Sequence, residues 1–468
     1  MSGAKRDLTE GPIARTLLLF AIPTLVGNVL QSLNASINMI WIGRFLGETS
    51  LAATANATNI IFLAFSAFFG FGMAATVLVG QHVGRKDIDG ARRAVGAAAG
   101  LFLLVTAIIV ALGVGLTDRL LHLMGTPQAA QPLASAYLKM MLLTLPFSSI
   151  AMLLMMTLRG AGDAMTPLWF MILGIVIDAG LNPFLIAGIG PFPELGIVGS
   201  ALATMVANVV SLAGLLVVVY WRDLPIRLRG AELRYLWPQP ALLRLILAKG
   251  FLMGMQMLVM TASGLVMIGL VNHAGVAAVA AYGVAFQLWN YIQMPAMAIG
   301  AAVSAMAAQN IGAGRWDRVR AITHGGLVYN LVLTGAALLL FYLFDEAVLG
   351  LFLGSGSPAI PIAVHIQDIA GWSFIFSGMT LVLFGTARAN GAVVGPLLCM
   401  IVSILAVRLG FAITAQPWLG FDALWWAFPV GSLVNCIMAW AYYAAGTWKK
   451  AVLADLAERA EHPEAAKA

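Results

Sequence analysis

Charged residues are scarce in this chain of 468 residues. Asp, Glu, Lys and Arg together make up 10% of it, whereas 61% of the residues are apolar and the mean hydropathy is +0.92. A soluble domain carries about a quarter charged residues, and so few charges cannot cover the surface of a soluble particle of this size. The composition therefore excludes a soluble enzyme, a nucleic-acid-binding protein and a disordered chain.

Cysteine is almost absent, and histidine forms no cluster. Cys399 and Cys436 both lie inside apolar runs, which excludes a disulfide framework and a metal site. His82, His122 and His324 lie in or beside the polar loops. Because no catalytic or phosphate-binding motif is found either, we expect a protein that is not an enzyme and has no cofactor.

Long apolar runs dominate the rest of the chain. A helix that crosses a bilayer needs about 20 apolar residues. Twelve runs approach or exceed that length, which predicts an all-α integral membrane protein with twelve transmembrane helices. We place the runs near 16–43, 52–79, 94–116, 133–157, 167–187, 195–221, 245–271, 276–307, 321–344, 361–386, 395–414 and 421–446.

The basic residues predict the orientation. If the twelve runs cross the membrane in turn, 22 of the 26 Lys and Arg residues fall on the side of the two termini. The other side receives Arg44, Arg119, Lys139 and Arg408. Cytoplasmic loops carry the excess of positive charge, so we expect both termini in the cytoplasm and a multi-pass protein of the plasma membrane, which in bacteria is the inner membrane.

The two halves of the sequence repeat each other. Shifted by 228 residues, GQHVGRKDIDGAR (80–92) falls on AQNIGAGRWDRVR (308–320), and shifted by 229, 158–168 falls on 387–397. Six spans per half give both halves one orientation, an arrangement that transporters use for alternating access. An old duplication without mechanistic consequence is the alternative. We predict two pseudo-symmetric six-helix lobes, divided as 1–221, a cytoplasmic linker 222–244, 245–446 and a cytoplasmic tail 447–468.

Asp178 is the one acidic residue deep inside an apolar run. It lies eleven residues past Pro167, roughly 16 Å along a helix. Asn182 at i+4 and Met171 at i−7 share its helical face. A charge at this depth is costly and marks function, so Asp178 is a candidate proton- or ion-binding group. A neutral, structural Asp bonded to Asn182 is the alternative.

The first apolar run carries a stripe of amides. Asn28, Gln31, Asn34 and Asn38 are spaced by three, three and four residues, which places them on one helical face. Such a face turns to the bundle interior or to a wet cavity rather than to lipid. Adhesion between helices is the alternative, and Pro23 in the same run predicts a bend.

Two further polar positions are weaker candidates. Gln287 lies in the eighth run with Asn290 and Gln293; packing is the favoured interpretation, with the lining of a substrate path as the alternative. Asp368 lies near the outer start of the tenth run, where we expect it at the membrane interface.

Four motifs resemble the multidrug and toxic compound extrusion (MATE) family over about 16–446. They are WIGRFLG (41–47), GQHVGRKD (80–87), LRGAGDAMTP (158–167) and LGIVGSALAT (195–204). The resemblance implies two six-helix lobes around a central cleft that opens alternately to each side. It also implies ion-driven efflux of amphipathic, often cationic, small organic molecules through the lipid bilayer. We expect a monomer.

The resemblance also implies site residues. Thr204 matches a threonine associated with the family's ion site, and Gln31 matches a position that faces the substrate cavity. Asn38 stands where proton-linked members usually carry Asp, and the usual order of Asn then Asp in span 5 is reversed. We assign ion coupling to Asp178, Asn182, Asn38 and Thr204, with H⁺ or Na⁺ held at Asp178, and the substrate cavity to Gln31, Asn34, Met171 and Gln287.

Met260 and Thr261 stand where sodium-linked members of the family carry a Glu.

Two other functions stay open on the sequence. A flippase for lipid-linked sugars or other amphipathic lipids would need basic residues inside the spans to meet phosphate. Lys139 and Arg408 are the nearest, and we place both towards the outer surface. A non-transporting sensor or intramembrane enzyme lacks a catalytic constellation.

The orientation can be tested by cysteine labelling. Because the basic loops are expected inside, single cysteines at Ala231 and Asp317 should react with a membrane-impermeant maleimide only in opened cells. Cysteines at Glu48 and Glu194 should react in intact cells. The native Cys399 and Cys436 are changed to Ser in the background. Labelling of position 231 in intact cells would reverse the predicted topology.

Overall fold

The computed structural model describes residues 7–237, 239–354, 356–450 and 453. Within these residues it is helical throughout, and eleven helical segments are long and apolar enough to cross a membrane. The first, Ile13–Gly84, contains 72 residues and breaks at Gly47, whose φ of 77° and ψ of −173° are not helical. This break divides it into two, so the described chain forms the twelve predicted helices. A side chain with a Cβ rarely adopts the φ of Gly47.

Most of the helices follow each other with short connections. Those of the first half are 13–46 (α1), 48–84 (α2), Ile88–Leu123 (α3), Gln131–Gly160 (α4), Met165–Ala187 (α5) and Ile197–Trp221 (α6). Those of the second half are Pro240–Val271 (α7), Val276–Gly312 (α8), Trp316–Leu343 (α9), Ala359–Ala389 (α10), Val394–Thr414 (α11) and Asp422–Ala445 (α12). Two are irregular: α10 contains a 3-10 turn at Gly371–Ser373, and α11 contains a π-helix at Ile401–Leu409. The two longer connections follow α6 and α9, and the one after α9 contains a short helix, Asp345–Leu353.

Contacts divide the described residues into two compact units. The first unit is Val26–Phe251, and the second is Asp7–Leu25 together with the described chain from Leu252 to Lys450. The beginning of α1 therefore belongs to the second unit, and the beginning of α7 to the first. These units and the predicted lobes are divided at different residues, and the predicted division at 221 and 245 stays a prediction.

The predicted linker is not free chain. Its 3-10 helix, Gly230–Leu236, packs on the start of α3 within the first unit. Glu232 pairs with Arg92 at 2.6 Å (Nη1 to Oε1), and the Tyr235 hydroxyl donates to Asp89 at 2.8 Å. These contacts hold the connection between the halves against the end of α3.

Loop geometry at the start of α3 follows from Asp87. Its Oδ1 accepts a hydrogen bond from the Gly90 amide at 2.9 Å, and its Oδ2 lies 2.8 Å from His82 Nδ1. Burial favours the neutral acid, but the Gly90 bond and nearby His82 outweigh it and hold the pKa of Asp87 below its ordinary value. The carboxylate thus caps the helix, as expected for an acid at a helix N-terminus.

A close approach between α5 and α6 positions the residues described below. A Cβ added at Gly199 would lie well under 3 Å from the Leu185 carbonyl. The Leu195 amide also donates to that carbonyl at 3.0 Å. Only glycine lets α6 lie this near to α5, which brings the polar face of α6 against Asp178.

This contact predicts the effect of two glycine substitutions. Gly199→Ala should lower the stability of the purified protein by about 1–3 kcal/mol, because the added methyl overpacks a backbone contact. Gly180→Ala, also in a helix of this pair, meets nothing within 4 Å and serves as the control. Thermal unfolding in detergent compares the two, and equal midpoints would contradict the tight α5–α6 contact.

Candidate functional site

Asp178 is buried on α5 and accepts hydrogen bonds from four side chains. Its Oδ2 accepts from Asn34 Nδ2 at 2.9 Å and from Asn38 Nδ2 at 2.8 Å. Its Oδ1 accepts from the Thr204 hydroxyl at 3.0 Å and from Asn182 Nδ2 at 3.4 Å. The donors come from three helices, α1, α5 and α6, and all lie in the first unit. We refer to these five residues as the Asp178 network.

Helical spacing accounts for this convergence. Asn34 and Asn38 are one turn apart on α1, as are Asp178 and Asn182 on α5, so each pair faces one neighbour. Asn182 Nδ2 also donates to Asn38 Oδ1 at 2.9 Å, which links the two pairs. Asp178 is 2% exposed and Asn182 is fully buried. Little solvent therefore competes for these bonds.

The donor set fits an ionised carboxylate. Each of the four bonds uses an N–H or O–H of the partner, and an ionised carboxylate offers only acceptors, with room for about four donors. A buried charge needs such partners to offset the loss of hydration.

The network also contains oxygens that lack a donor. Asn34 Oδ1 and Asn182 Oδ1 are buried and accept no hydrogen bond from the described residues. An amide presents both an N–H and an oxygen, so rotating it exchanges a donor for an acceptor. The Thr204 hydroxyl has a second acceptor in the Ser200 carbonyl at 3.2 Å. These groups can therefore serve a protonated Asp178 as well as an ionised one, or turn oxygens to a cation.

The structure brings together the four residues assigned to ion coupling. Asp178, Asn182, Asn38 and Thr204 form one hydrogen-bonded group. The structure also places Asn34 in this group, whereas sequence analysis assigned Asn34 to the substrate cavity. The amide stripe predicted Asn34 on the face of Asn38, but a helical face alone does not say which neighbour it meets.

The other predicted cavity residues lie apart from this network. Gln31 is exposed on α1, and Met171 is half-buried and accepts from Arg159 Nη2 at 3.5 Å. Gln287 belongs to the second unit, where it is exposed and donates to Tyr291 Oη at 3.3 Å. Asp368 is exposed, and its place at the membrane interface stays a prediction. Their assignment to a substrate cavity stays a prediction.

The sequence and the fold both match known transporters. A family model described as MatE matches residues 23–184 and 253–414. The probable multidrug resistance protein YoeA of Bacillus subtilis (strain 168) is 33% identical over 438 residues, 93% of this chain and 94% of that protein. The probable multidrug resistance protein YpnP of the same strain is 30% identical over 447 residues, 95% and 97% of the two chains.

Among solved structures, the crystal structure of MATE in the bent conformation has a TM-score of 0.87 to this chain. It is 20% identical and covers 98% of this chain and all of its own. The chain therefore belongs to the MatE family. It is a multi-pass membrane transporter, and the predicted all-α, twelve-helix, two-lobe fold and the predicted resemblance are confirmed.

Proposed function

We propose that this transporter is a secondary antiporter that exports amphipathic or cationic organic molecules in exchange for an inward flow of ions. The names of the two Bacillus relatives support multidrug export. The buried carboxylate of Asp178, held by four side chains from three helices, supports ion coupling. We place the protein in the bacterial inner membrane as a monomer with both termini in the cytoplasm.

Coupling requires a group to which the driving ion and the substrate both respond. An ion shifts a conformational equilibrium only as far as it binds one state better than the other. Neutralising Asp178 removes the charge that its four donors serve. Asn34, Asn182 and Thr204 must then rearrange their hydrogen bonds. Because these residues lie on three helices, the rearrangement can favour a different packing of the helices.

We take H⁺ as the coupling ion in preference to Na⁺. The groups around Asp178 donate hydrogen bonds. When a proton binds to Asp178, only one amide or hydroxyl has to change from a hydrogen-bond donor to an acceptor. Na⁺ requires several oxygens, so the amides of Asn38, Asn34 and Asn182 would all have to turn. Sodium held by Asp178, Asn182 and Thr204 is kept as the alternative and is an outcome of the test.

A lipid flippase is the less favoured function. Both Bacillus relatives are named as multidrug resistance proteins, which favours drug export. In addition, the Asp178 network offers an anion, whereas the phosphate of a lipid-linked sugar requires cations.

The role of Asp178 can be tested in reconstituted vesicles. Asp178→Asn should abolish gradient-driven efflux of a cationic drug, because it keeps the size of the side chain and removes its charge and its proton. The exposed Asp368→Asn is the control and should transport at nearly the wild-type rate. Imposing proton and sodium gradients separately identifies the ion. Wild-type pumping by Asp178→Asn would place the coupling site elsewhere.

A second pair of variants can separate the roles of two residues in the amide stripe. Asn38→Leu removes a hydrogen bond to a charged group, worth about 1.5–3 kcal/mol, and should slow coupled efflux of every drug. Gln31 lies outside the network, so Gln31→Leu should change which drugs are exported while ion coupling is kept. Efflux of a panel of cationic and neutral dyes compares them. Equal losses for both variants and all dyes would argue that the stripe only holds helices together.

A further inference from the structure

The fifth helix of each half carries a single charged residue, and the two charges are opposite. Asp178 is the charged residue of α5, and Arg408 is that of α11. The second half thus has a cation on the helix that corresponds to the one bearing the network carboxylate in the first half.

Arg408 has no set of hydrogen-bond partners like that of Asp178. It donates no hydrogen bond to any residue in the described part of the chain, and its Nε is buried without a partner.

The guanidinium of Arg408 rests on an aromatic ring. Its Cζ lies 3.6 Å from the centroid of Phe428 on α12, a cation–π contact. Arg408 lies in the π-helix Ile401–Leu409, and such segments are frequent at functional sites. Gly431 lets the side chain run along α12, because a Cβ there would lie 2.8 Å from Arg408 Cβ. Arg408 as a whole is half-buried, so part of it is open to a ligand.

Tyr282 of α8 offers a second unused polar group. It is 2% exposed, and its hydroxyl has no hydrogen-bond partner among the described residues. Its ring lies 6.3 Å from that of Phe428, the same ring on which the Arg408 guanidinium rests. Trp289 and Trp425 pack on the same rings, at 4.8 Å from Phe428 and 5.8 Å from Tyr282. The two polar groups therefore belong to one aromatic cluster of the second unit.

Among the described residues no acid forms an ion pair with Arg408, and Asp422 at the start of α12 bonds instead to His365 at 3.0 Å. A partly buried cation without a counter-charge is unfavourable, and Arg does not lose its proton in proteins. An anion from outside the chain would supply both the missing charge and an acceptor.

We propose that Arg408 and the Tyr282 hydroxyl form a binding site for a single negative charge in the second unit. The site would accept the carboxylate of an exported organic molecule or a free halide. This deepens the proposed function, on which it rests, because it extends the exported class to amphiphiles that carry a carboxylate. The guanidinium binds the charge, and the hydroxyl donates a hydrogen bond.

The test measures binding to the purified full-length protein in detergent, without any ion gradient. The probes are a dansyl-labelled alkyl carboxylate and the matched dansyl-labelled alkyl ammonium, titrated in a chloride-free buffer. For Arg408→Gln, we expect the Kd of the carboxylate to rise at least tenfold and that of the ammonium to stay constant. Arg408→Lys should recover part of the affinity, and Tyr282→Phe should weaken carboxylate binding severalfold.

Arg244→Gln is the matched control, since it removes an exposed arginine of the first unit and should leave both probes unaffected. Chloride distinguishes the two ligand sources. If the carboxylate probe does not bind but chloride raises the melting temperature of the wild type and Arg244→Gln, and not of Arg408→Gln, the site takes a free halide. Equal weakening of both probes, or no response to Arg408→Gln, overturns the proposal. Because no transport is measured, the antiporter proposal and this site can fail separately.

Discussion

A carboxylate placed inside a bundle of apolar helices is stable only if other groups replace its hydration. An unpaired buried charge costs several kcal/mol, and the first unit meets this need with donors from α1, α5 and α6 around Asp178. This need for hydrogen-bond donors also constrains the helices around the site. The amides of α1 must face α5, which fixes the rotation of α1. Gly199 must let α6 come close enough for Thr204 to reach the carboxylate.

Periodicity made part of this network predictable. The i, i+4 spacing of Asp178 and Asn182, and of Asn34 and Asn38, was sufficient to place each pair on one face. It did not reveal that the two faces meet, because contacts between helices depend on packing angles that the spacing within one helix does not contain. Thr204 was reached only through its resemblance to a family position. Hydropathy and charge were sufficient for the twelve helices, since bilayer thickness sets their length.

The features that escaped prediction are local departures from ideal helices and contacts between distant segments. Sequence analysis placed the first two spans at 16–43 and 52–79 but gave no sign that the break is a single glycine, Gly47. It placed Arg408 towards the outer surface, which stays a prediction, and gave no sign that its guanidinium lies on Phe428. The π-helix that carries Arg408 has no periodic signature.

The two units therefore use duplicated helices for different electrostatics. In the first, an acid is surrounded by side chains that can donate or accept hydrogen bonds, so these neighbours can adapt to a ligand at the carboxylate. In the second, the cation is permanent and its aromatic neighbours cannot rearrange their hydrogen bonds in the same way. We therefore propose the first unit for the driving ion and the second for a constant part of ligand recognition.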